Sequence, residues 1–205
     1  MRRFEVDTDG SPVVLLETQR LVLRRFTLDD VALVVELDSD PEVMRYISGG
    51  APTPREEVET DILPAWLGYY ERYTGLGFWA AHEKSSGAFI GWFHFRPPPG
   101  HTPDDVELGY RLRRAAWGKG YATEGSCALI AMGFTQLGVR RVFASTMVIN
   151  VASRRVMEKA GLKFVGIVPT NWPIRIPGDE QGGVEYVVTH EEWQATSKSR
   201  LGGWT

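Results

Sequence analysis

Alternation of apolar and polar positions over a short run marks a half-buried strand, while apolar residues three and four apart mark a helix. Leu21–Arg25 alternates as a strand. Leu28–Leu37 carries helical spacing behind Thr27, a capping residue, with Asp29 and Asp30 in the first turn where acids suit the helix dipole. A second helix is expected from Pro54 to about Tyr73, opened by the proline and by Glu56, Glu57 and Glu59. Gly77–Glu83 and Ala88–Arg96 are predicted strands joined by Lys84-Ser85-Ser86-Gly87, a hairpin signal. Pro97-Pro98-Pro99-Gly100 forces a loop, and Asp105–Leu112 is a strand that pairs back. A helix over about Thr123–Leu137, a strand over Arg141–Met147 and a helix from Asn150 to Gly161 follow. Lys163–Val168 and Val184–Thr189 close the series, separated by a Pro/Gly-rich loop from Pro169 to Gly183. Loops of that length often cover a binding site.

This order predicts a single mixed α/β domain over residues 16–190, with an N-terminal extension (1–15) and a tail (191–205) that is weakly ordered over Ser197–Thr205. A chain of 205 residues suffices for one sizeable core. Hydrophobic content of 43% and charged content of 24% belong to an ordinary globular protein rather than a disordered one. The net charge of −3 gives no basic field for nucleic acid and suits cationic amine substrates. The single cysteine, Cys127, cannot form an internal disulfide, and it lies in a predicted helix as a small buried residue. No apolar run approaches the roughly 18 residues of a membrane helix. Glu5, Asp7 and Asp9 follow the N-terminal arginines without an apolar segment, so no signal peptide is expected and a cytoplasmic location follows. Nothing resembles a metal-ligand cluster.

Trp117-Gly118-Lys119-Gly120-Tyr121-Ala122-Thr123-Glu124 sits between a strand pattern and a helix pattern. Two glycines one residue apart let backbone amides turn toward a common point. A helix opening just behind adds unpaired N–H groups and a positive dipole end, so the turn is a ready site for a pyrophosphate. A phosphate-loop NTPase needs Ser or Thr after the lysine, where Gly120 stands. A dinucleotide fingerprint needs a third glycine where Thr123 stands. A tight strand-to-helix turn with no ligand would show the same local pattern.

Phe143–Met147 leads into Asn150-Val151-Ala152-Ser153-Arg154-Arg155-Val156-Met157-Glu158-Lys159-Ala160-Gly161. Asn150 is placed to cap this helix and Gly161 to end it. The pair of motifs, Trp-Gly-Lys-Gly-Tyr-Ala-x-Glu and then Asn-x-x-Ser with its downstream glycines, resembles the GNAT superfamily of acetyl-CoA-dependent N-acetyltransferases. Together with Leu16–Arg25, it resembles the branch that includes the ribosomal-protein serine/alanine N-terminal acetyltransferases. The likeness spans about Leu16 to Thr189. It implies a GNAT-like domain with a central, mostly antiparallel sheet, splayed at the cofactor site, and helices on both faces. It also implies acetyl-CoA as co-substrate without a metal, and leaves monomer or homodimer open.

Carried onto this chain, the resemblance has the Tyr110, Arg111 and Leu112 backbone hold the pantetheine amides and polarise the thioester carbonyl. The amides of Gly118, Lys119, Gly120, Tyr121, Ala122 and Thr123 would hold the pyrophosphate, with Arg113, Arg114 and Lys119 adding charge. Ala115 replaces the family's common Gln or Arg three residues before the first glycine, and Trp117 is expected to shield the turn by packing. Asn150 is expected to bond pantetheine as well as cap its helix. The tyrosine that many members place seven residues later is Met157 here, so Ser153 inherits the task of steadying the leaving sulfur. Glu107 is the first choice for general base, sharing a strand face with Gly109 and Arg111, and His94 is the alternative. The acceptor is expected to be a protein or peptide N-terminal amine, with a small-molecule amine as the rival. Met157 also leaves open a silent acyl-CoA-binding module. Asp38–Pro54 and the Pro169–Gly183 loop, with Trp172, Arg175, Asp179 and Glu180, are expected to border the acceptor site.

Overall fold

The computed structural model describes residues 13–169 and 175–201. Eight strands form one sheet: β1 (Val14–Glu17), β2 (Leu21–Arg25), β3 (Gly77–Glu83), β4 (Phe89–Arg96), β5 (Asp105–Leu112), β6 (Arg141–Met147), β7 (Lys163–Val168) and β8 (Gly183–Thr189). Their spatial order is β1-β2-β3-β4-β5-β6-β8-β7, and every junction is antiparallel except that of β5 with β6. The helices are α1 (Val31–Asp38), α2 (Pro41–Met44), α3 (Arg55–Glu57), α4 (Leu63–Arg72), α5 (Tyr121–Gln136), α6 (Val151–Lys159) and α7 (His190–Leu201).

Strand β3 is buried along Gly77–Ala81 and β4 along Phe89–Phe93, because helices cover both faces of the sheet centre. One core gathers Leu21, Leu23, Phe93 and Phe95 with Leu129, Ile130 and Met157 of α5 and α6. The other gathers Phe78 and Trp92 with Val34 and Leu37 of α1 and Trp66 and Leu67 of α4. The expected mixed α/β domain, with its mostly antiparallel sheet between two helical layers, is what forms.

Several elements differ from the pattern-based expectation. The helix after Thr27 opens with a 3-10 turn over Leu28–Asp30. Asp30 accepts two bonds from Arg24, each at 2.8 Å, and one from the Thr27 N–H at 2.8 Å, so this carboxylate fastens helix to strand. The one-turn α2 was too short to show periodicity and is set by Asp40, whose side chain accepts from the Glu42 N–H at 2.9 Å. The predicted Pro54–Tyr73 helix contains a π-helical turn over Val58–Ile62. Cys127 is exposed rather than buried, because α5 turns Ser126 and Ile130 inward and leaves position 127 on the solvent side. Beyond residue 190 the chain continues as α7, whose Trp193 ring lies 5.6 Å from that of Phe134, so helical order reaches past Ser197 to Leu201. Residues 1–12 of the expected extension and 202–205 of the tail lie outside the described residues. Among the described residues no helix is long and apolar enough to cross a membrane.

Candidate functional site

Strands β5 and β6 pair only at Asp105↔Arg141, Val106↔Val142 and Glu107↔Phe143. Beyond that point β5 stays with β4 as far as Leu112, and β6 stays with β8 as far as Met147. The two strands therefore part after Glu107. In an antiparallel pair, residues that bond the neighbour alternate with residues that turn away from it. The Arg113 N–H donates to the Ile90 carbonyl at 2.9 Å. By this alternation Arg111 and Gly109 also bond β4, and Tyr110 and Leu112 turn their main-chain groups toward the opening. This corrects the expectation for Arg111, whose backbone belongs to the β4 side. The Leu112 carbonyl already accepts from Trp117 Nε1 at 2.8 Å, so Trp117 pins the turn by a hydrogen bond while its ring stays 47% exposed.

Both glycines of the turn take a backbone conformation that favours glycine. Gly118 and Gly120 take φ of 72° and 83°, the left-handed region that side chains resist. No atom lies within 4 Å of where a Cβ at Gly118 would stand. Gly120 caps α5 and contributes no side chain, so no side-chain oxygen occupies the N–H groups of the first turn, Tyr121 to Thr123. The helix begins two residues earlier than expected, which brings Tyr121 and Ala122 into that turn. Lys119 is exposed. Arg113, expected near phosphates, instead pairs with Glu36 at 2.8 Å and lies over the Phe89 ring. Arg114 sits 3.9 Å from Asp40. Both arginines line a cleft of about 730 Å³ between the turn and Glu36, Leu37 and Asp40. That cleft places the chain from Asp38 onward beside the turn.

On the far lip of the opening, Asn150 caps α6 as its position predicts, its Oδ1 accepting from the Ser153 N–H at 3.2 Å. Its Nδ2 donates to Thr146 Oγ1 on β6 at 3.1 Å. Ser153 Oγ lies 3.1 Å from the hydroxyl of Tyr110. Burial pushes the Tyr110 phenol up to about 12, and either hydroxyl can be the donor in its contact with Ser153. Met157 is buried at 4% exposure and serves the core.

On the opposite face of the sheet β4 and β5 present a polar cluster. Glu107 accepts from Arg96 Nη2 at 2.9 Å, and its carboxylate lies 3.6 Å from His94 Nε2. Regular register across β4 and β5 places Glu107, Gly109 and Arg111 on one face, as expected. The glycine is required there: a Cβ at Gly109 would come 2.5 Å from the His94 ring. Burial raises the Glu107 pKa above the usual carboxylate range, opposed by the charge of Arg96. Burial drives His94 well below the usual imidazole value, and the charges of Arg96 and Arg111 add to the effect. His94 is thus a neutral ring packed behind Glu107, and the carboxylate, 21% exposed against 13% for the imidazole, is the more accessible member of the pair. Arg111 pairs with Asp38, a carboxylate only 1% exposed, at 2.5 Å, and Thr53 donates to the same carboxylate at 2.7 Å.

Of the expected acceptor-side loop, Trp172 lies outside the described residues. Arg175 and Asp179 pair with each other at 3.1 Å, and Asp179 also accepts from the Ile176 N–H. Those contacts make them internal braces of the loop, while Glu180 is exposed.

Residues 20–163 match the family described as Acetyltransferase (GNAT) domain. This chain belongs to the GNAT acetyltransferase family. An Aspergillus fumigatus protein named FsC-acetyl coenzyme A-N(2)-transacetylase is 34% identical over 193 residues, spanning 91% of this chain and 80% of its relative. An aminoglycoside acetyltransferase solved in complex with coenzyme A is 22% identical, with a TM-score of 0.68 over 86% of this chain and 99% of that one. RimL, a ribosomal L7/L12 alpha-N-protein acetyltransferase also solved with coenzyme A, is 18% identical with a TM-score of 0.71, covering 86% and 97%. At such identities the last two establish the shared fold alone. This GNAT protein is an N-acetyltransferase, and its structural relatives include enzymes of both protein and antibiotic acceptors.

Proposed function

We propose that the chain transfers an acetyl group from acetyl-CoA to a primary amine by direct attack, with the reaction centred where β5 and β6 part. The observation that carries this reading is the position of Glu107 at the end of the β5–β6 pairing, with the Ser153–Tyr110 contact spanning the opening beyond it. The amine approaches from the Glu107 face and the acyl donor occupies the gap. Acetyl-CoA supplies the acyl carbon as a thioester. The amides of the Gly118–Thr123 turn hold its diphosphate. Main-chain donors at Tyr110 and Leu112 face the thioester, and preorganised donors of this kind are often the largest catalytic contribution. Glu107 accepts the amine's surplus proton, a task its raised pKa suits by bringing the base nearer the working pH. Ser153 donates to the departing thiolate.

The acceptor we assign is a small-molecule amine, because the relative named FsC-acetyl coenzyme A-N(2)-transacetylase aligns with 91% of this chain at 34% identity. A protein or peptide N-terminal amine is the second reading, favoured by the Leu16–Arg25 opening and its likeness to the ribosomal-protein branch. Thiol release from acetyl-CoA, followed over a panel of small amines and N-terminal peptides, tests both. Turnover confined to peptides would reverse the order. Coenzyme binding without turnover on any amine would restore the reading of a silent binding module.

A further inference from the structure

The side chain of Tyr110 has a place at the site that backbone contacts alone do not explain. Tyr110 stands on β5 three residues beyond Glu107, the last residue paired with β6, and its hydroxyl lies 3.1 Å from Ser153 Oγ and 3.4 Å from the Ser153 carbonyl. Ser153 comes from the opposite lip, in the first turn of α6, where the Asn150 cap holds its backbone. The contact therefore links β5 to α6 beyond the point where β5 and β6 separate. Resting on the reading of this opening as the acetyl-CoA site, we infer that Tyr110 is a positioning residue for the leaving group. Its hydroxyl donates to Ser153 Oγ and so leaves the Ser153 proton directed at the sulfur of coenzyme A.

A serine hydroxyl has one proton and two lone pairs, and its rotor settles according to its neighbours. A phenol is far more acidic than an alkyl alcohol, so Tyr110 is the better donor of the two. With a lone pair of Ser153 engaged, its own hydrogen turns elsewhere, and a chain of two hydrogen bonds polarises both members. Tyr110 keeps its proton throughout, since burial pushes the phenol up to about 12. In the transfer the amine nitrogen bonds the acetyl carbon, and the carbon–sulfur bond breaks with its electron pair on sulfur. Glu107 takes the surplus proton from nitrogen. Ser153 hydrogen-bonds the thiolate, and water protonates it afterwards. Met157 offers no proton from the neighbouring turn of α6, and Ser153 is the α6 hydroxyl that Tyr110 reaches.

The test is the titration of coenzyme A bound to the wild type, Tyr110→Phe, Ser153→Ala and the double variant, followed by thiolate absorbance. In the wild type the bound thiol should titrate below the ordinary thiol value of about 8.5. Tyr110→Phe should raise it by about half a unit and Ser153→Ala by about one unit. The double variant should match Ser153→Ala, because the tyrosine acts through the serine. In turnover Tyr110→Phe should lose about threefold to tenfold in kcat with KM for acetyl-CoA unchanged. Identical titrations in wild type and Tyr110→Phe would overturn the inference, and so would additive shifts in the double variant. Failure of the wild type to bind coenzyme A in calorimetry would instead sink the whole site reading, and this inference with it.

Discussion

Arg20 holds Glu124 by three contacts, Nε to Oε2 at 2.7 Å, Nη2 to Oε2 at 2.6 Å and its main-chain N–H to Oε1 at 2.9 Å, and so ties the β1–β2 connection to the first turn of α5. Thr18 donates to the other carboxylate oxygen at 2.6 Å, and Arg20 Nη1 donates to the Lys119 carbonyl at 2.9 Å. The acid of the glycine motif is therefore a brace for the glycine turn. Burial pushes the Glu124 carboxyl up, but the bonds from Thr18 and Arg20 outweigh it and hold the group below its usual range. Glu124→Gln should weaken coenzyme A binding about tenfold by calorimetry, which corresponds to about 1.4 kcal/mol. The Glu107 half of the site should be untouched, so kcat at saturating coenzyme should stay within about twofold.

Gly120→Ala tests the turn itself. Its φ of 83° is the left-handed region, where an L side chain costs about 1–2 kcal/mol. A Cβ there would also stand 3.4 Å from Arg20 Nη2. The variant should show a lower denaturation midpoint and weaker coenzyme binding together. Gly118→Ala, with open space around its Cβ, should show the strain without the contact.

Glu107→Gln should lower kcat/KM for the amine by about 100-fold, the lower bound for loss of a general base, with coenzyme affinity unchanged. Activity of the wild type should rise with pH as Glu107 loses its proton, with a midpoint above the usual carboxylate value because burial favours the neutral form. That limb of the kcat/KM profile should vanish in the variant. A limb that persists would move the base to another group.

Asp30 carries an acid-stability prediction. Burial pushes its pKa up, but the paired bonds from Arg24 and those from Thr27 prevail and leave it below the ordinary aspartate value. A depressed carboxylate stabilises the fold fully above its unfolded value and loses that contribution as pH falls through the folded one. Asp30→Asn should therefore cost about 3 kcal/mol in denaturant unfolding at neutral pH, the scale of breaking a buried ion pair. The difference from wild type should shrink below about pH 4.

The sheet was legible in the chain because its strands alternate or run apolar between glycine and proline punctuation, as in Gly77–Glu83 and Lys84-Ser85-Ser86-Gly87. The α6 cap was equally legible, since Asn150 three residues before Ser153 is a local arrangement. Short elements escaped: α2 is a single turn set by Asp40, and β1 owes its form to pairing with β2 rather than to a pattern of its own. Long-range pairing of charges escaped as well. Arg113 turns to Glu36 and Arg111 to Asp38, partners more than seventy positions away that no window of sequence brings together. Glu107 and His94 looked like rival bases in the chain, and strand register makes them neighbours in one cluster. The Tyr110 hydroxyl was within reach of sequence reasoning, because Tyr110 shares its alternation phase with Leu108 and Leu112 and so faces α6.

Because only three residue pairs join β5 to β6, the sheet is close to two panels sharing a short hinge, with β1–β5 on one side and β6–β8 on the other. A guest lodged between the panels would act as mortar. Its arrival should slow amide exchange along both free margins, Tyr110–Leu112 and Ser145–Met147, more than anywhere else in the protein. Catalytic capacity and mechanical weakness would then reside in the same seam.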